Sequence, residues 1–102
     1  MNRYIASCIA SDLEGGARIG VYVARYQTAI NLIVQISEYL DEQYSRTVLP
    51  KGKIEHDSGG EVIFFTDETQ ARGLNLDVLV MPHGSALDFP HRLDPRTELI
   101  EY

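Results

Sequence analysis

The sequence has little cysteine, lysine or tryptophan, and it lacks any long apolar run. Its single cysteine, Cys8, cannot form a disulfide within the chain, so a reducing, cytoplasmic setting is expected. Arginine supplies most of the nine cationic residues, and the net charge of −6 disfavours general binding to a nucleic-acid backbone. No apolar stretch approaches the roughly 20 residues that cross a bilayer, and the first residues make a poor signal peptide. We therefore expect no membrane partner.

The residues that are present are typical of one folded domain. Hydrophobic residues make up 44% and charged residues 24% of the 102 residues, which is ordinary globular usage. No repeat, linker or low-complexity tract divides the chain. We predict a single α/β domain over residues 1–102, with Cys8 as a small core residue.

Hydrophobic spacing predicts two helices and several strands. The helices are expected over 3–14, ended by Gly15–Gly16, and over 27–45, with Thr28 as N-cap; a strand is the alternative for the first. Strands are predicted over 18–24, 53–56, 61–66 and 74–81, with a helical turn over 67–72 and a further short strand over 97–101. The runs 53–56 and 61–66 flank a turn at 57–60 and predict a hairpin. This alternation favours a three-layer α/β arrangement around a partly parallel sheet.

The order of these elements resembles a known family. The run ARIGVYVARYQTAINLIVQI, the hairpin GGEVIFFT and the stretch ARGLNLDVLV follow one another in a way that resembles the ATPase core of phage large terminases, and helicase-type P-loop ATPases more broadly. The resemblance covers roughly residues 4–81. It implies a phosphate loop at the start of the first helix and magnesium-binding acids after the strand at 74–81.

The sequence departs from that family at both places where the chemistry would occur. ATP hydrolysis needs a G-x-x-x-x-G-K-[ST] loop, whose amides and lysine hold the phosphates, and no such loop precedes the first helix. Pro82–His83 follow the strand at 74–81, where an Asp–Glu pair would be expected. We therefore expect a degenerate core, natural or truncated, that is not an enzyme and has no catalytic residues, resident metal or cofactor.

Five residues are candidates for contact with a partner: Arg72, Asp77, His83, Tyr22 and Tyr26. Arg72 could contact a phosphate or simply belong to a turn with Gly73. Asp77 could act as a functional carboxylate, or it could accept hydrogen bonds from the backbone or from Arg72 at the start of a strand. The tyrosines suit a protein interface, although ordinary core edges also contain them.

Histidines and carboxylates cluster near the C-terminus. His83, Asp88, His91 and Asp94 fall close together, and His56–Asp57 lie elsewhere. These side chains can bind zinc or another divalent metal, but their spacing matches no structural zinc motif. A polar surface loop is the competing interpretation, and a metal-dependent hydrolase is one alternative function.

The interpretation that we favour is a phage-encoded, non-catalytic interaction domain that modulates a phage or host enzyme. The strand that would precede the first helix in the resembled core is missing, which predicts an exposed central strand edge, open to a homodimer or to another protein. The further alternative is a DNA-associated accessory domain of packaging or replication. That function would require the arginines to gather on one face, namely residues 3, 18, 25, 46, 72, 92 and 96.

Overall fold

A computed structural model describes residues 2–48, 52–67, 75–83 and 97–102. In chain order the elements are α1 (Arg3–Glu14), β1 (Arg18–Tyr22), α2 (Tyr26–Ser37), β2 (Ser45–Val48), β3 (Lys53–His56), β4 (Glu61–Phe65), β5 (Val78–Met81) and β6 (Glu98–Glu101). Within these described ranges, neither helix has the length and apolar character that crossing a membrane requires. The chain is thus a small α/β domain, as the sequence predicted.

The six strands form one mixed sheet in the order β2-β3-β4-β1-β5-β6. β1 lies at the centre and pairs in parallel with β4 and β5, and β5 pairs in parallel with β6. β2, β3 and β4 are antiparallel to one another in turn. The partly parallel sheet and the β3–β4 hairpin were both predicted, and both are confirmed.

α1 matches its predicted bounds because both of its ends carry clear signals. The Asn2 side chain caps the first turn by accepting a hydrogen bond from the Ile5 amide at 2.8 Å. At the other end, Gly16 adopts a φ of 90°, which favours glycine and turns the chain into β1. The strand alternative for this segment is therefore wrong.

The second helix is shorter than predicted. α2 ends at Ser37, and Arg25 rather than Thr28 occupies its N-cap position. Acidic residues at a helix C-terminus oppose the helix dipole, and the Asp41 side chain instead accepts from the Gln43 amide at 2.9 Å to form a local turn. The chain then enters β2, a strand that the hydrophobic spacing did not predict.

Both helices cover the same face of the sheet. Alternate residues of β1, Ile19 and Val21, point into a core that also contains residues of α1 and α2. On the opposite face, Phe65, Leu79 and Met81 form a smaller buried cluster. Because the described helices lie on one face only, the predicted third layer stays a prediction.

The central strands have neighbours on both sides. β1 lies between β4 and β5, and β6 covers the other edge of β5. The predicted exposed edge of a central strand is therefore wrong, since the short strand expected at 97–101 pairs there as β6. Among the described strands, β2 and β6 are the outermost.

Candidate functional site

Asp77 has an architectural position. Its carboxylate accepts a hydrogen bond from the Arg18 amide at 2.8 Å, and its own amide donates to the Arg18 carbonyl at 2.8 Å. Asp77 thereby joins the start of β5 to the start of β1. Arg72, the other predicted partner of this carboxylate, lies outside the described residues.

We predict that Asp77→Ala lowers the free energy of unfolding by about 1–2 kcal/mol, because the Arg18 amide loses a charge-assisted hydrogen bond. Urea denaturation measures the change. The matched control is Glu42→Ala, since Glu42 is exposed beyond α2 and should be within about 0.5 kcal/mol of the wild type. An Asp77→Ala protein as stable as the control would contradict the architectural role.

Tyr22 and His83 come together through Tyr102. The Tyr102 hydroxyl donates to the Tyr22 carbonyl at 2.9 Å, and the His83 amide donates to the Tyr102 carbonyl at 2.6 Å. Tyr26 begins α2 and is 52% exposed. Tyr102 was not singled out in the sequence, because nothing near it in the chain indicates these distant partners.

The described residues do not assemble a metal centre. Among them, no group of three or more His, Cys, Asp or Glu side chains is placed to hold a metal ion. His83 pairs with Glu101 at 2.7 Å, and the His56 ring accepts from the Ser58 amide within the 57–60 turn. Asp88, His91 and Asp94 lie outside the described residues.

The four arginines in the described part of the chain do not form a single basic face. Arg18 begins β1 and pairs with Glu61 at 3.0 Å, while Arg25 follows the opposite end of that strand. Arg46, on β2, pairs with Asp57 at 2.8 Å, and that hydrogen bond raises the pKa of the guanidinium. Arg3 begins α1, and arginines 72, 92 and 96 lie outside the described ranges.

A groove of about 330 Å³ runs between α1 and β6. Its lining, which we call the α1–β6 groove, includes Tyr4, Ile5, Cys8, Asp12, Glu98 and Ile100. The helix residues fall at the spacing of one helical stripe, next to the stripe of Ala6, Ile9, Ala10 and Leu13 that enters the core. Cys8 is therefore half-buried in the groove wall and not a core residue as predicted.

In the part of the chain that the structure describes, no strand pairs with the outer edge of β6 beside this groove, and we call this edge open. The amides of Glu98 and Tyr102 donate to β5 at 2.9 and 2.8 Å, so alternation along a parallel strand directs the backbone groups of Leu99 and Glu101 away from β5. None of the described residues bonds to those outward groups. Leu99 is also 46% exposed and Tyr4 77% exposed, so apolar surface accompanies the unpaired backbone.

β6 is held firmly at both ends despite its open edge. The Thr97 hydroxyl donates to the Leu76 carbonyl at 2.7 Å before the strand begins. After it ends, the Tyr102 side chain reaches β1, and burial, helped by the nearby Tyr22, raises the pKa of the Tyr102 phenol. The open edge therefore belongs to a strand that side-chain hydrogen bonds tie to the rest of the fold at both ends.

The raised pKa of Tyr102 predicts a specific loss of stability in alkali. The folded state favours the neutral phenol, so its contribution is complete below the ordinary pKa of 10.0 and is lost as the pH rises through the higher folded value. Urea unfolding between about pH 9 and pH 11 should show a smaller alkaline decrease for Tyr102→Phe than for the wild type. Equal slopes for the two proteins would contradict the prediction.

Comparison with known proteins identifies no relative. No protein-family model, curated protein or solved structure matches the chain. The geometry of the described residues is therefore the basis for a functional proposal.

Proposed function

We propose that this chain is a non-catalytic interaction domain that binds an extended segment of another protein along the open edge of β6, beneath α1. The observation that carries the proposal is the combination of outward-facing backbone groups at Leu99 and Glu101 with the adjoining α1–β6 groove. An extended segment gains affinity from main-chain hydrogen bonds to such an edge and specificity from pockets for alternate side chains. Here the groove offers that pocket on the face that α1 covers.

The other outer edge, β2, is a poorer docking surface. The Asp57 amide donates to the Tyr44 carbonyl at 2.8 Å, so antiparallel alternation directs Ser45 and Thr47 outward. None of its residues Ser45–Val48 is an exposed large apolar residue, and the Arg46 side chain on this strand is engaged by Asp57. β6 instead presents exposed Leu99 next to a partly apolar groove.

The scaffold is proposed to be a degenerate P-loop ATPase core of the terminase type. The support is the observed order of α1, β1, α2, the β3–β4 hairpin and β5, which follows the order of elements that the resemblance implies. Pro82–His83 follow β5 and supply no carboxylate for magnesium. The phage setting, the cytoplasmic location and the modulation of a phage or host enzyme belong to this proposal through the resemblance alone.

The proposal is tested by selecting binders from a random twelve-residue peptide display library against the purified protein. Leu99→Pro removes an outward amide and places a ring at the open edge, while all hydrogen bonds to β5 are kept. We expect the selected peptides to bind this variant at least about tenfold more weakly.

Two variants are the matched controls for that selection. Thr47→Pro makes the same change at the outward position of β2, and Leu99→Ala removes the side chain while keeping the amide. Thr47→Pro should retain binding within about threefold of the wild type. Leu99→Ala should lose only the contribution of the Leu99 side chain, and this loss should be smaller than that of Leu99→Pro. Peptides that bind Leu99→Pro normally, or that are lost with Thr47→Pro, would contradict a site at β6.

A further inference from the structure

The charges around the open edge of β6 specify which extended segment it accepts; this inference rests on the proposed function. β6 reads Glu98–Leu99–Ile100–Glu101, with an acidic residue at each end and two apolar residues between them. Asp12 adds a third carboxylate in the groove wall. Of the described residues that line the groove, none is lysine or arginine.

The two faces of β6 present the same combination of charge and apolar surface. Glu98 and Ile100 line the groove on the face that α1 covers. Leu99 and Glu101 lie on the opposite face, because successive side chains of a strand alternate. On that face the His83 ring contacts the Glu101 carboxylate at 2.7 Å, and the His83 side chain is 85% exposed.

An added strand places one side chain beside each of these four residues. Opposite charges in directly opposed positions stabilise a strand pair, and apolar side chains favour apolar neighbours. Lysine or arginine is therefore favoured beside Glu98 and Glu101, and apolar residues are favoured beside Leu99 and Ile100. This pattern reads the same in both directions, so it suits a parallel or an antiparallel added strand.

We propose that the partner is a protein segment of the form basic–apolar–apolar–basic, which adds to the sheet as a seventh strand beside β6. Its backbone bonds to the outward groups of Leu99 and Glu101. One basic side chain lies near Glu98 and Asp12, and the apolar side chain beside Ile100 enters the groove near Ile5. The second basic side chain competes with His83 for the Glu101 carboxylate.

A second copy of this chain is a poorer occupant of the same edge. Pairing two β6 strands would bring the glutamates of both copies into one short ladder, and each chain carries a net charge of −6. Like charges on adjacent strands are destabilising. Charge complementarity therefore favours a foreign basic segment over self-association.

Three fluorescein-labelled peptides test the charge preference: TTKVVKTT, TTQVVQTT and TTEVVETT. Fluorescence anisotropy should show that the lysine peptide binds about tenfold or more tightly than the glutamate peptide, with the glutamine peptide between them. Added salt should reduce the difference, because exposed charges are screened. Leu99→Pro should weaken the binding of the lysine peptide.

A charge-reversed protein makes the test independent of peptide composition. Glu98→Lys/Glu101→Lys should prefer the glutamate peptide over the lysine peptide. Glu38→Lys/Glu42→Lys gives the same change in net charge at exposed positions that do not line the groove, and it should keep the wild-type preference.

The results that would contradict the basic pattern differ from those that would contradict the proposed function. Equal affinities of the three peptides, or no binding of the lysine peptide up to about 1 mM, would overturn the basic–apolar–apolar–basic pattern. The proposed function would still be supported if library-selected peptides bind at β6. A preference that persists in Glu98→Lys/Glu101→Lys would also overturn it. Self-association in sedimentation that Leu99→Pro abolishes would identify a second copy as the occupant and overturn the inference.

Discussion

Gly60→Ala should destabilise the protein by about 3 kcal/mol, because the added methyl group would collide with backbone that cannot move aside. A Cβ at this position would lie 2.6 Å from the Leu13 carbonyl oxygen and 2.8 Å from the Ala17 carbonyl oxygen. The Leu13 oxygen belongs to the last turn of α1, and the Ala17 oxygen belongs to the connection between α1 and β1. Urea denaturation and the thermal midpoint measure the loss.

The surroundings of Gly60 explain why little relaxation is available. The Ser58 hydroxyl donates to the Leu13 carbonyl at 2.7 Å, and the Glu61 amide donates to the Ala17 carbonyl at 3.1 Å. These bonds hold the hairpin against the end of α1, so a displacement at Gly60 would strain both.

Gly15→Ala is the matched control for Gly60→Ala. Its φ is −81°, and an added Cβ would contact the Asp12 carbonyl oxygen at an ordinary 3.4 Å. That variant should lie within about 1 kcal/mol of the wild type, since the methyl group also restricts the unfolded chain. Equal stabilities of the two variants would contradict the close approach at Gly60.

Phe65→Ala should cost about 3–5 kcal/mol, the usual result of removing a buried aromatic side chain. Phe65 is 2% exposed and packs edge-on to Tyr22, with their ring centroids 5.7 Å apart. For a domain whose total stability is on the order of 5–10 kcal/mol, this change would leave the fold marginal. Chemical denaturation should show a lower midpoint with a similar slope.

Phe65→Leu separates volume from aromatic character. It retains most of the buried apolar volume and should cost about 1–2 kcal/mol. A Phe65→Ala protein that loses less than about 1 kcal/mol would contradict a well-packed cluster on the face opposite the helices.

Local signals predicted much of the fold. Apolar residues at helical spacing and the glycine pair at 15–16 located α1, and the 57–60 turn between β-prone runs located the β3–β4 hairpin. The short strand at 97–101 was also anticipated and pairs as β6. In each case residues close together in the chain determine the structure.

The end of α2 and the position of the open strand edge were predicted wrongly. The apolar residues Leu40 and Tyr44 extend the helical spacing beyond Ser37, yet Asp41 forms a turn and Arg46 joins a strand. The open edge was predicted at a central strand, whereas β6 covers that position and becomes the edge itself. Strand order depends on long-range pairing that a single sequence does not reveal.

The candidate site was only indirectly predictable. A strand edge open to a partner was expected, but Tyr4, Leu99 and Glu98 were not named. α1 lies far from β6 in sequence, so their shared groove has no local pattern. Among the residues that were named, Asp77 links β5 to β1, and Tyr22 and His83 meet at Tyr102 beside the end of β6.

Amide hydrogen exchange resolved by residue tests the central claim most directly. In the free protein, the outward amides of Leu99 and Glu101 should exchange rapidly, while those of Glu98 and Tyr102, which donate to β5, should be protected. With a saturating library-selected peptide, Leu99 and Glu101 should become protected by about tenfold or more, and Ser45 and Thr47 on β2 should be unchanged. Protection at Ser45 and Thr47, or none at either edge with peptide bound, would contradict strand addition at β6.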